Sequence, residues 1–183
     1  MPLSKTERAL HRKTMARCFN EAWTYLEKRG RTPHESRLML NLAHTARHHA
    51  ALAGTARNQA IGDWQISRVY ATLGEPRLAV AFARSALDLC ERNELTDLTC
   101  TAYEAMARSH AVGHHPSSAR SWLTKAREQL DTSVTDAEDR TTYLGQIRDT
   151  ERLLRRRSSG RARRSGVKGT KSASSSGAQR GSL

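Results

Sequence analysis

The densest group of ionisable side chains is Leu42-Ala43-His44-Thr45-Ala46-Arg47-His48-His49. His44 and His48 stand one helical turn apart, a spacing at which two imidazoles can hold one metal ion. The residue after His44 is a threonine, so the glutamate that a metalloprotease uses as its base is missing. No third ligand lies close by in the chain. On a helical wheel Leu38, Met39, Leu42, Ala43, Ala46 and Ala50 form an apolar arc with His49 at its edge, while His44 and His48 point away. A polar face is the expectation for that pair, and no metal or cofactor is implied. A second set, Trp64, Arg68, Glu104 and Arg108, is scattered in sequence and gains meaning only when its helices are placed. Other signals of catalysis are absent: there is no G-x-S-x-G, no phosphate loop ending in Gly-Lys-Ser/Thr and no dinucleotide fingerprint. Cys18, Cys90 and Cys100 are odd in number, widely spaced and without C-x-x-C, which fits reduced thiols packed in a core. A binding module rather than an enzyme is therefore expected.

The charge is unevenly spread. The chain has 183 residues with 31 Lys and Arg against 18 Asp and Glu, a formal net charge of +13. Nine of those basic residues fall after position 154: Arg155, Arg156, Arg157, Arg161, Arg163, Arg164, Lys168, Lys171 and Arg180. No acidic residue accompanies them, so residues 1–154 are left with 22 basic and 18 acidic side chains, a net of +4. The C-terminal segment is also rich in Ser and Gly, with Val167 and Leu183 as its only large apolar residues, and cannot bury enough surface to offset the entropy of ordering. A disordered tail over 157–183 is expected. Such a segment either attracts nucleic acid through counterion release, without reading bases, or simply solubilises the chain. No apolar run approaches the roughly 20 residues of a membrane span, and the charged start of the chain does not read as a secretory signal. A cytoplasmic protein follows as the expectation.

The elements that must position these groups are helical throughout. Apolar residues recur at three and four over residues 5–154, and no stretch alternates strictly enough for a strand. Ser4-x-x-Glu7, Thr32-x-x-Glu35 and Thr135-x-x-Glu138 each offer a hydroxyl cap with a carboxylate three residues on. Pro33, Pro76 and Pro116 suit first helical turns, and Gly30, Gly54, Gly74 and Gly113 supply stops. Together they predict an all-α domain over 1–156 with seven helices near 5–29, 33–52, 57–73, 76–92, 97–112, 116–130 and 136–156. Short connections make successive helices antiparallel hairpins.

Shifting the chain by 40 residues places Ile66, Ser67, Tyr70, Gly74, Ala79, Ala83 and Ala86 on Met106, Ala107, His110, His114, Ala119, Leu123 and Ala126. The order of large, small, ring, turn and small residues is kept. With Tyr70-Ala71-Thr72-Leu73-Gly74-Glu75-Pro76 at its centre, the segment from about 60 to 130 resembles the tetratricopeptide repeat, a helix-turn-helix unit usually of about 34 residues. His110 and His114 replace the aromatic and the glycine in the second copy. The chain is similar to small bacterial proteins of this kind, a resemblance that implies a stack of helical hairpins and little chemistry.

The wheel of helix 57–73 puts Gly62, Ile66, Val69, Tyr70 and Leu73 on one arc and Ile61, Trp64, Arg68 and Ala71 opposite. On helix 97–112 Tyr103, Met106 and His110 turn inward, and Thr101, Glu104, Arg108 and Ala111 outward. The same shift pairs Trp64 with Glu104 and Arg68 with Arg108. The resemblance implies that these positions line a concave groove that holds a partner peptide. Stacked guanidiniums there would suit an acidic peptide or an anionic ligand, with Trp64 as a rigid anchor. The opposing reading is that both arginines pair with Glu104 and that Trp64 packs on the first hairpin. A third reading gathers His44, His48, Arg68 and Glu104 into the pocket of a small enzyme or metal-binding protein.

Overall fold

The computed structural model describes the backbone of residues 2–166 and the side chains of residues 2–156. Among the described residues seven helices follow one another: α1 (Lys5–Glu27), α2 (Pro33–Ala53), α3 (Ala56–Leu73), α4 (Pro76–Arg92), α5 (Thr96–Val112), α6 (Pro116–Ser133) and α7 (Ala137–Gly166). They pack as hairpin-like pairs α1 with α2, α3 with α4 and α5 with α6, with α7 laid against α5 and α6. The expected all-α architecture is the observed one.

The local chemistry explains most boundaries. Ser4 and Thr32 accept from the amides of Glu7 and Glu35 while those carboxylates accept from the cap amides, closing two capping boxes. Prolines open α2, α4 and α6. Two ends differ from expectation. Thr55 and Asn58 form a third box at the start of α3, where the amide oxygen of Asn58 does the work of a glutamate. At α7 the capping oxygen belongs to Asp136 rather than Thr135: its carboxylate accepts from the amides of Glu138 and Asp139 at 3.0 and 2.9 Å. A carboxylate is the better acceptor for two orphan amides at the positive end of a helix.

The repeat holds at the level of packing. Ile66, Ser67, Ala79, Ala83 and Ala86 are buried, and so are Met106, Ala107, Ala119, Leu123 and Ala126. Small residues bring helices close: the Ser67 hydroxyl donates to the carbonyl of Ala79 at 2.8 Å. Gly74 ends α3 in the left-handed region with φ +81°, and its counterpart His114 does so after α5 with φ +61°. The turn geometry is thus preserved where the residue type is not, at a strain that glycine avoids. The boundary expected at 156 is not a helix end. α7 continues to Gly166, consistent with the good helix propensity of its arginines, and residues 167–183 lie outside the described residues.

Candidate functional site

α3 and α5 are the helices that carry Trp64, Arg68, Glu104 and Arg108, and the four side chains do come together. The face they occupy is covered, however, which corrects the expectation of an open groove there. Thr101, Glu104 and Ala111, expected outward, are buried. The cover is α7, whose stripe of Tyr143, Ile147, Thr150 and Leu154 is buried at the helical spacing of three to four.

Glu104 is the centre of the cluster and only 1% exposed. Its Oε1 accepts from Arg108 Nε at 3.0 Å and from the hydroxyl of Thr150. Its Oε2 lies 3.6 Å from Arg68 Nη1, an ion pair without a hydrogen bond. Arg68 reaches Asp149 of α7 at 3.9 Å. The side chains of Arg68 and Arg108 keep 13% and 15% of their exposure. Burial pushes the Arg68 guanidinium down, Glu104 opposes that, and Arg108 adds to it by like-charge repulsion. Arg68 and Arg108 share the buried carboxylate of Glu104, and Asp149 is shared between Arg68 and Arg152, so this group holds α3, α5 and α7 together electrostatically.

Trp64 packs on the first hairpin. Its ring centroid lies 5.6 Å from that of Trp23 on α1, and Arg68 Cζ sits 5.5 Å and 5.8 Å from the centroids of Trp23 and Trp64. The two tryptophans also line a cavity of about 300 Å³ with Phe19, Ile61, Leu98 and Tyr143.

The histidines have other partners. His44 Nε2 stands 3.1 Å from the Tyr70 hydroxyl, and its ring meets Tyr70 and Phe82 edge-on. Burial lowers its pKa, with Asp63 pulling the other way. His48 is exposed, while His49 Nδ1 approaches His11 Nδ1 at 2.6 Å. Arg47 donates from Nε to Asp63 Oδ1 at 2.7 Å, and Ser85 donates to the other oxygen at 2.7 Å. Arg47 thus ties α2 to α3 beneath Gly62, where a Cβ would come within 2.7 Å of Arg47 Cδ. His44, Arg47 and His48 therefore do not join Arg68 and Glu104 in one pocket. Among the described residues no group of three or more His, Cys, Asp or Glu is placed to hold a metal ion. Burial pushes the thiols of Cys90 and Cys100 up to about 12, which keeps them poor nucleophiles.

A larger groove, missed in the sequence, runs between α6 and α7. It is an open depression of about 640 Å³ lined by Arg120, Leu123, Thr124, Arg127, Glu151, Leu154 and Arg155. Leu123 and Leu154 form a buried apolar floor, with Arg120 and Arg155 exposed. Arg127 is paired with Glu151 at 2.5 Å. The signal was present in the repeat: Arg120 and Arg127 fall on Val80 and Leu87, which are partly and fully buried in the preceding hairpin. Charge replaces apolar contact where the single helix α7 follows the hairpin. Arg156 is exposed on α7, and Arg157, Arg161, Arg163 and Arg164 follow in the same helix, their side chains outside those described. No helix among the described residues is long and apolar enough to cross a membrane. Compared with known proteins, the chain matches no family model, no curated protein and no solved structure.

Proposed function

We propose that this chain is a helical-repeat interaction scaffold, related in design to tetratricopeptide proteins, and that it binds an acidic amphipathic helix of a partner protein. The groove between α6 and α7 is the docking surface of this reading, in place of the filled face around Glu104. The single observation that carries it is the combination of arginines and a leucine floor in a groove of about 640 Å³. An incoming helix would occupy the place where another hairpin would continue the stack. It would set apolar side chains on Leu123 and Leu154 and carboxylates on Arg120 and Arg127, which the guanidinium fork receives bidentately. Engaging Arg127 requires a carboxylate to compete with Glu151, which makes the contact dependent on a multiply charged partner. The reading makes the chain a binding module rather than an enzyme.

The test uses a synthetic helical peptide with leucines on one face flanked by glutamates, followed by fluorescence anisotropy. Arg120→Glu and Arg127→Glu should each weaken binding by about tenfold or more, since a hydrogen bond to a charged group contributes roughly 1.5–3 kcal/mol. Equal affinity of both variants and the parent protein would refute the groove. A second reading, polyanion binding, is favoured by the arginine series that begins at Arg155 and Arg156. Single-stranded DNA binding that survives Arg120→Glu and falls steeply with salt would support it.

A further inference from the structure

The internal repeat presents the same place in the stack twice, and the two copies differ in charge. In the first copy Tyr70 stacks on Phe82 with ring centroids 5.6 Å apart, and its hydroxyl stands 3.1 Å from His44 Nε2. Glu75 follows as the residue before α4. The shift of 40 puts Arg84, His110, Trp122 and His115 at the positions of His44, Tyr70, Phe82 and Glu75. A hydrogen-bonded ring cluster followed by an acid is thus replaced by a guanidinium, an indole and two imidazoles.

The turn before α6 gathers these groups. With His114 at φ +61°, the amide of His115 donates to the carbonyl of His110 at 2.9 Å, and the two imidazole centroids lie 6.1 Å apart. A Cβ on Gly113 would come within 3.2 Å of both His115 Cδ2 and Pro76 Cβ, so the glycine lets the start of α4 close on this turn. Beside them is an open depression of about 350 Å³, lined by Pro76, Arg77 and Val80 of α4, Ser109 and His110 of α5, and His115. That size falls within the range of ligand pockets, roughly 300–1,000 Å³.

The cations around it are uncompensated and within reach of solvent. Arg77 and Arg84 stand two turns apart on one face of α4. Among the described residues no acidic group lies within ion-pair distance of Arg77, Arg84, His110 or His115. Burial lowers the His110 pKa, and His115 and Arg84 lower it further by like-charge repulsion, with no carboxylate pulling the other way. Arg84 Cζ sits 5.7 Å from the Trp122 centroid, a contact that cancels no charge. Arg77, Arg84 and His115 are exposed and His110 is half-buried.

We propose that this depression binds a phosphate dianion, free or as the monoester end of a small molecule, held by Arg77, His110 and His115 with Arg84 adding attraction from beside it. Three terminal oxygens and two charges match several N–H donors that have no anion of their own. A phosphodiester carries a single charge per phosphate and gains less, which separates this site from nucleic-acid backbone. Pro76 and Val80 offer an apolar wall to the organic part of a monoester. The depression shares no lining residue with the groove between α6 and α7.

The experiment titrates phenyl phosphate, phenyl sulfate and inorganic phosphate into the full chain by calorimetry at physiological salt. Phenyl phosphate should bind about tenfold more tightly than phenyl sulfate, its singly charged isostere. Tighter binding of phenyl phosphate than of inorganic phosphate assigns the occupant to a monoester, and equal or tighter binding of the inorganic ion assigns it to free phosphate. Arg77→Gln and His115→Gln should each weaken phosphate binding by about tenfold, the scale of one hydrogen bond to a charged group, and Arg84→Gln severalfold. These side chains are exposed, so melting temperatures should stay at the parent value, which separates loss of binding from loss of fold. The acidic peptide should bind all three variants as it binds the parent, and Arg120→Glu should keep its phosphate affinity. The proposal is overturned if phenyl sulfate binds as tightly as phenyl phosphate, or if neither phosphate probe binds at millimolar concentration. It is overturned equally if Arg77→Gln and His115→Gln leave phosphate affinity unchanged, or if they weaken the acidic peptide instead.

Discussion

Replacing Glu104 by glutamine removes the buried carboxylate that Arg68 and Arg108 share, and leaves two guanidiniums facing each other across α3 and α5. The side chain keeps its size, so the effect is electrostatic. At an effective dielectric of about 20, unit charges at the 3.0 Å and 3.6 Å separations seen for Arg108 and Arg68 attract by about 5 kcal/mol each before other terms. Desolvation of all three groups and the Arg68–Arg108 repulsion consume most of that. Breaking a buried pair by removing one partner costs roughly 3–5 kcal/mol. Because both arginines retain some exposure and Asp149 still faces Arg68, the lower end applies, about 3 kcal/mol. At about 2–4 °C per kcal/mol for a chain of this size, the melting temperature should fall by about 6–12 °C. Urea denaturation of Glu104→Gln, Thr150→Val and the double variant measures it. Thr150→Val removes one hydrogen bond to a charged group and should cost about 1.5 kcal/mol, with the double variant less than additive. A loss below about 1 kcal/mol for Glu104→Gln, the size of an exposed ion pair, would refute the idea that this cluster secures α7.

Three further outcomes are expected. Ala119→Leu places a large side chain at a fully buried contact of the α5–α6 hairpin, and overpacking should cost about 1–3 kcal/mol in chemical denaturation. A neutral result would mean that these helices do not approach closely. Acidification should destabilise the fold. His44, His49 and His110 have pKa values lowered by burial, so the unfolded chain binds more protons, and stability that is full above their ordinary value of 6.5 is lost as pH falls below it. His44→Phe should flatten part of that slope between pH 7 and 5, read from urea midpoints. Truncation after Arg156 should leave the melting temperature within about 2 °C, since surface changes are usually within about 0.5 kcal/mol. It should also abolish any salt-sensitive retention on nucleic acid. Retention by the truncated protein would place the polyanion contact in the body.

The sequence carried the helices and their pairing because the relevant chemistry is local. Capping hydroxyls, prolines in first turns and the period of small residues act within a few positions, and the observed boundaries follow them closely. Thr55 with Asn58 was not legible as a box because asparagine stands where glutamate is usual. The surface of α3 was harder to read. Its wheel separates Ile66 and Val69 from Trp64 and Arg68, which implies one buried and one open face, yet α1, α2 and α4 take the first while α1 and α5, with side chains of α7, cover the second. The clue lay in Tyr143, Ile147, Thr150 and Leu154, a stripe diluted by the arginines at 148, 152, 155 and 156 around it. A helix wheel ranks the faces of one helix. It does not say which distant segment returns to cover the less apolar one.

The cavity that α1 and α7 both line also bears on how the chain comes apart. An open row of helical hairpins behaves like a one-dimensional array, in which each unit senses only its neighbours and the ends fray independently. Here Phe19 and Trp23 share a wall with Thr142 and Tyr143, so the first and last helices border the same apolar cleft. Loosening either end widens that cleft and weakens the grip on the other. Amide exchange in α1 and α7 should therefore report linked opening, and the seven helices should melt as one cooperative unit rather than from the termini inward.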